Sequence, residues 1–199
     1  WPALDTFLDD LPHRIDDIEG LITDNEIVLV RMNGVAPMGA EHAINASITG
    51  PMLRACGVDW DLRHHNPYEY YDRVEFDRPL GTNGDNFDRY HVRVREMRQS
   101  INIIRQCVAQ IEPGPVRDEK VPFVVRPPTG DVYHAIEGPK GELGFYLVSD
   151  GGISPYRCHV RAPSLINLTL LRDMIVGSKM ADLIVTFGTT DINMGEVDR

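Results

Sequence analysis

His64 and His65 are the residues that most directly invite a ligand, since neutral imidazole is a common metal donor. Neighbouring side chains point in different directions on any regular element, however, and no third ligand stands at a diagnostic spacing. The pair predicts an ordinary surface or interface loop, with no metal. Gly81-Thr82-Asn83-Gly84 precedes a helical pattern and has the composition of a phosphate cradle. It lacks the G-x-G-x-x-G pattern and the lysine of a Walker loop, and Asp85 would repel an anion, which argues against a nucleotide. Cys56, Cys107 and Cys158 lie far apart with no C-x-x-C pair, and predict reduced, buried thiols in a cytosolic-type compartment. Arg89, Arg93 and Arg98 flank the longest helical pattern, and their clustering predicts a basic face that docks an acidic neighbour.

The element that must carry those arginines runs between Gly84 and Gly114. Phe87, Tyr90, Val94, Met97, Ile101, Ile104, Val108 and Ile111 alternate in steps of three and four, the spacing of one apolar seam on a helix. Asp85 or Asn86 is suited to cap its start, and Glu112-Pro113-Gly114-Pro115 stops it. At 1.5 Å per residue such a helix is about 39 Å long, as deep as a small domain. Leu4, Leu8, Leu11, Ile15, Ile18 and Ile22 repeat the spacing and supply the natural partner face, with a kink or a break expected at Pro12 and Asp9 or Asp10 capping the second part. The run from Glu26 to Arg31 is open between strand and helix. Short helices are expected at Gly39–Ala46 and Met52–Ala55, an aromatic and charged loop over Val58–Leu80, and a short strand at Val74–Phe76.

Three strands follow, Asp131–Glu137, Glu142–Ser149 and Tyr156–Arg161, joined by glycine- and proline-containing turns into an antiparallel meander with at least one buried face. Two helices then begin at Ser164 and Ser178 and end at Gly177 and Gly188. The fold class is α+β, mainly α: a helical bundle around a long central helix, with residues 1–115 as the helical part and 116–199 as the meander plus C-terminal helices. The net charge of −10 argues against nucleic acid as a partner. No apolar run is long enough to cross a bilayer, and the abrupt start at Trp1 inside a helical pattern reads as a fragment of a longer chain.

Several segments resemble one family in collinear order. They are Trp60-Asp61-Leu62-Arg63, Gly84-Asp85-Asn86-Phe87-Asp88-Arg89, Glu96-Met97-Arg98-Gln99-Ser100, Glu142-Leu143-Gly144, Tyr146 to Gly151, Arg161-Ala162-Pro163-Ser164 and the terminal Gly195-Glu196-Val197-Asp198-Arg199. The chain is thereby similar to the D-type, quinone-site subunit of NADH:quinone oxidoreductase, respiratory complex I, a component with a nickel–iron-hydrogenase-large-subunit-like fold. Two family features are missing. One is an upstream domain whose histidine and tyrosine contact the quinone headgroup. The other is a helical stretch, usually with a His-His-Phe element, that family members carry between Val125 and Pro127.

The resemblance implies a peripheral-arm subunit on the cytoplasmic side of the cell inner membrane. In such a subunit, electron transfer from NADH to quinone is coupled to proton translocation. NAD(H) and the iron–sulfur clusters belong to other subunits, and quinone is a substrate. The expected partners are the cluster-bearing small subunit, to which Arg89, Arg93 and Arg98 would dock, other peripheral-arm subunits, and a membrane-arm subunit at the quinone entrance. Position by position, the C-terminal segment bordering the quinone chamber corresponds to Asn193, Met194, Gly195, Asp198 and Arg199. Asn193 stands where an aliphatic residue is expected. Gly195 would let backbone approach a flat ring, and Asp198 with Arg199 would tune local charge or dock the chain end. The related hydrogenases hold nickel at the matching place through cysteines, and Asp191-Ile192-Asn193-Met194-Gly195 has none, which excludes that chemistry. The alternative reading is that the piece alone is an interaction module with no turnover of its own.

Overall fold

A computed structural model describes residues 1–117 and 120–198. Arg199, expected at the site, lies outside the described residues. Helix α1, Pro2–Ile22, is continuous through Pro12, so the expected break is corrected and neither Asp9 nor Asp10 caps a second helix. Asn25 caps α2, Glu26–Met32, by accepting from the N–H groups of Ile27 and Val28, which settles that run as helix. Short helices α3, Ala40–Asn45, α4, Pro51–Ala55, and α5, Leu62–His65, follow. His64 and His65 sit in that last turn, exposed, and Val74–Phe76 is not a strand.

Helix α6, Asn86–Gln110, is the long element, capped by Asp85 through its bond from Asp88 N. Only part of the predicted seam is covered. Leu8, Ile15, Val94 and Ile101 form one buried cluster between α1 and α6, with Leu4, Leu11 and Tyr90 against it. Met97 is 42% exposed and Ile104 is exposed as well, because a second inward face competes for the helix. That face is polar: Asn86, Asp88 and Arg89 are buried at the first turns.

The meander forms as β1, Gly130–Gly138, β2, Gly141–Ser149, and β3, Arg157–Arg161, in the order β1-β2-β3 and antiparallel throughout. Pairing sets Val132 against Leu147, Ile136 against Leu143 and Leu147 against Cys158, so these side chains share one face. Val132, Ile136, Phe145, Leu147 and Cys158 are exposed, and the expected buried face is therefore open in this chain. Cys107 is exposed too, contrary to expectation. Cys56 is half-buried, and burial pushes its thiol up to about 11.

The predicted helix from Ser164 is two helices, α7, Pro163–Thr169, and α8, Leu171–Ile175. Helix α9, Met180–Thr190, runs past Gly188, and its N-cap is Lys179 in place of Ser178. A last turn, α10, is Met194–Val197. The larger core cluster joins Met38, Ile48, Met52 and Leu53 to Leu170 and Met174, so early and late segments share one interior. No helix among the described residues is long and apolar enough to cross a membrane.

Candidate functional site

The glycine loop before α6 does cradle an anion, but the anion is the protein's own. Asp88 Oδ2 accepts the N–H groups of Thr82, Asn83 and Gly84 at 2.9, 2.5 and 3.0 Å. Asp85 Oδ2 accepts Gly34 N at 2.7 Å, so both acidic residues are spent on backbone. Gly84 has φ +64 there, and a Cβ would meet Met38 O at 2.1 Å.

The basic flank is likewise turned inward. Arg89 is 0% exposed and donates to Gly84 O, Ala36 O and Asn86 Oδ1 at 2.7–2.8 Å. Burial lowers its pKa to about 10, so it stays cationic at neutral pH with no carboxylate among the described residues bonded to it. The solvated basic face expected from the sequence is corrected at this residue. Arg93 donates to Thr189 O at 2.7 Å and Thr190 O at 3.3 Å, the carbonyls that α9 leaves unpaired at its end. Its Nε lies 3.3 Å from Asp191 Oδ2, an ion pair outside hydrogen-bond alignment. Arg98 bonds Asp16 and Glu19 of α1.

The tail after α9 is consequently held at both ends. Asp191 adopts a left-handed conformation (φ 56), pairs with Lys140 at 2.5 Å and receives Arg93. Ser164 at the start of α7 takes Asn193 N on its Oγ at 3.0 Å, and its own N–H donates to Glu196 Oε2 at 3.1 Å. Asn193 Oδ1 accepts from Gly195 N and caps α10. Asn193, Met194, Gly195 and Asp198 are all exposed on this short, fixed segment. They are brought together on a surface, and none of them lines a cavity among those described.

Asp191 does line one. A polar cleft of about 400 Å³ lies between the tail, α6 and the β1–β2 turn. At its floor Arg54, 1% exposed, donates to Glu96 at 2.7 Å, Glu137 at 2.8 Å and Trp60 O at 3.0 Å. Arg63 grips Asp61 with two bonds of 3.0 and 2.6 Å. Burial pushes the Glu137 carboxyl above the usual range, against the pull of Arg54 and with the push of Asp61. Burial works on Asp61 in the same sense, but Arg63 and Arg54 hold it below the usual range. The cleft is positioned by backbone contact: a Cβ on Gly50, at the head of α4, would lie 2.4 Å from Gly141 Cα. Nothing in the spacing of residues 54, 61, 96, 137 and 191 marks this cluster. The one sequence signal is Arg54 itself, a lone charge among Met52, Leu53 and Ala55.

Helix α9 is built inside out. It buries Asp182, Thr186, Thr189 and Thr190, with Thr186 and Thr189 against Asn86 of α6, Thr190 on Thr186 O and Asp182 against Arg31. Met180, Ile184 and Phe187, at i, i+4 and i+7, face outward at 76%, 69% and 43% exposure.

A family model for the respiratory-chain NADH dehydrogenase 49 Kd subunit matches residues 2–127 and 121–199. The chain belongs to that 49 Kd subunit family. The D-type subunit of NADH-quinone oxidoreductase from Dehalococcoides mccartyi is 58% identical over 198 residues, 100% of this chain and 54% of the relative. The corresponding D-type subunit from Carboxydothermus hydrogenoformans is 49% identical, covering 92% and 50%. That of Geotalea uraniireducens is 44% identical over 221 residues, covering 99% and 57%. The chain spans about half the length of the curated relatives it matches. The Geotalea alignment runs over more positions than this chain has residues, whereas the Dehalococcoides alignment does not. The two parts of the 49 Kd family match overlap at residues 121–127, around the place where a further helical stretch is expected from the sequence.

Proposed function

We propose that this chain is the part of a 49 Kd-type subunit that borders the site of quinone reduction in a proton-translocating NADH:quinone oxidoreductase. The reading rests on one observation above the others. The tail is fixed by Arg93, Lys140 and Ser164, yet it leaves Asn193, Met194, Gly195 and Asp198 open to a ligand or a covering subunit. A rigid backbone carrying an exposed methionine and a glycine is suited to one wall of an apolar ring site. The electrons come from an iron–sulfur carrier in a neighbouring small subunit, and a membrane-arm subunit covers the quinone entrance. The hydrogenase-large-subunit-like ancestry of the fold belongs to the same reading, as does a place at the cytoplasmic side of the inner membrane. The outward apolar stripe of α9 and the open sheet face favour assembly with further protein. Of Arg89, Arg93 and Arg98, only Arg98 has the surface exposure to serve docking. Alone, the chain is an interaction module.

Replacing Met194 by glutamate tests this in the assembled complex. A carboxylate on the wall raises the KM for a short-chain quinone about tenfold through its desolvation cost. Electron delivery to ferricyanide, which needs no quinone wall, persists. An unchanged quinone KM removes the tail from the site.

A further inference from the structure

The charges at the floor of the polar cleft do not pair one to one. Arg63 is committed to Asp61 by its two-bond grip, leaving Arg54 as the guanidinium that Glu96 and Glu137 share. Glu96 takes Arg54 Nε and Glu137 takes Nη1, with Asp61 Oδ2 a further 3.4 Å from that same nitrogen. Glu137 is the deeper of the two, with its side chain 3% exposed against 18% for Glu96. Its second oxygen accepts only Leu62 N at 3.2 Å. With Arg54 divided among several carboxylates, the deepest of them, Glu137, is incompletely compensated, and burial favours its protonated form. The other charged and titratable groups around the cleft are Arg93 on α6, Lys140 and Asp191 at its edge, and Tyr71 on the turn after α5. Tyr68 accepts the backbone N–H of Glu137 on its hydroxyl. The cleft that reaches Glu137 is also lined by Asp191, the first residue after α9.

We infer that Glu137, buried on the shared Arg54 at the floor of the cleft, carries an exchangeable proton and delivers it, by way of the cleft, to the acceptor reduced beside the tail. The inference rests on the quinone reading of the tail. A quinone takes up two electrons and two protons to become the quinol: both carbonyl oxygens end as hydroxyls and the ring becomes aromatic. The two electrons arrive from the iron–sulfur carrier of the neighbouring subunit. Glu137 supplies one proton and is reprotonated from solvent at the cleft mouth; the second proton enters independently. Glu137 acts as a carrier and does not touch the substrate.

The test is Glu137→Gln in the assembled complex, following NADH oxidation with a short-chain quinone and with ferricyanide across a range of pH. Ferricyanide accepts an electron without a proton. The amide oxygen still accepts from Arg54 and only the bond from Leu62 N is lost, while Glu96 and Asp61 still neutralise Arg54. Quinone-dependent turnover falls about tenfold or more, in the range for removal of a positioned acid. The alkaline limb of its pH profile, where Glu137 loses its proton, disappears, and ferricyanide turnover is retained. Glu137→Asp, which keeps a carboxylate, restores most of the quinone rate. Quinone turnover within about twofold of the parent, with the same profile, overturns the inference. Failure of both variants to assemble also overturns it, since the cluster is then structural. If Met194→Glu raises the quinone KM while Glu137→Gln behaves as the parent, the quinone wall stands and the proton route falls. If neither variant alters quinone kinetics, the quinone reading falls with it.

Discussion

Arg89→Leu is expected to remove a large share of the chain's stability. The guanidinium is fully buried and supplies hydrogen to two backbone carbonyls and to Asn86, which together tie α6 to the Val35–Met38 loop and to the glycine loop. Leucine has comparable bulk and no donor, so Ala36 O is left unpaired, while Gly84 O keeps only Met38 N and Asn86 Oδ1 only the Thr189 hydroxyl. The unpaired carbonyl costs about 1–3 kcal/mol and the two lost charge-assisted bonds about 1 kcal/mol each, and about 3–5 kcal/mol together is a large share of the 5–15 kcal/mol by which domains are held. Arg89→Lys recovers little, because one ammonium cannot span acceptors arranged for a planar fork. Urea denaturation reads the effect as a fall in midpoint at unchanged slope. A loss under about 1 kcal/mol would show that Arg89 does not organise the start of the helix.

Arg93→Met is the second large effect, and it falls on function. Methionine fills the stem but leaves Thr189 O and Thr190 O without their donor and Asp191 with Lys140 alone. The segment from Asp191 to Asp198 then loses its anchor on α6 while keeping the one on Ser164. A displacement of about 1 Å at a reaction site costs on the order of a hundredfold in rate, and quinone-dependent turnover is expected to fall by that amount with ferricyanide turnover retained. Arg93→Lys lands between the two, since a single ammonium reaches one carbonyl. Equal loss with both acceptors would mean that the variant fails to assemble; no loss would mean that the tail's position does not matter.

The rod, the meander and the family were legible in the sequence because each rests on local signals. The α1 and α6 seams announce themselves by period, and the strands by the glycines and proline at their turns. The register of Leu143, Phe145 and Leu147 followed from alternation, but the fate of their face did not: no pattern says whether an apolar face is covered within the same chain. The orientation of α6 was half right for a similar reason. Counting apolar residues finds the Val94–Ile101 seam, but it cannot see that Asn86, Asp88 and Arg89 form a second buried face whose polar groups satisfy one another. That face draws Arg89 and Arg93 inward and leaves Met97 outside. Helix α9 defeats the same logic, since its threonines are the inward residues. The polar cleft was invisible, because its charges come from five separate segments brought together by long-range contacts such as that of Gly50 with Gly141.

The most direct measurement is photolabelling of the assembled complex with a quinone bearing a photoreactive group on the ring, followed by tryptic digestion. The label is predicted in the peptide spanning residues 180–199, on Asn193, Met194 or Gly195, and is to be displaced by unmodified quinone. Displaceable label confined to other peptides or other subunits, with 180–199 unmodified, would contradict a tail that lines the acceptor site.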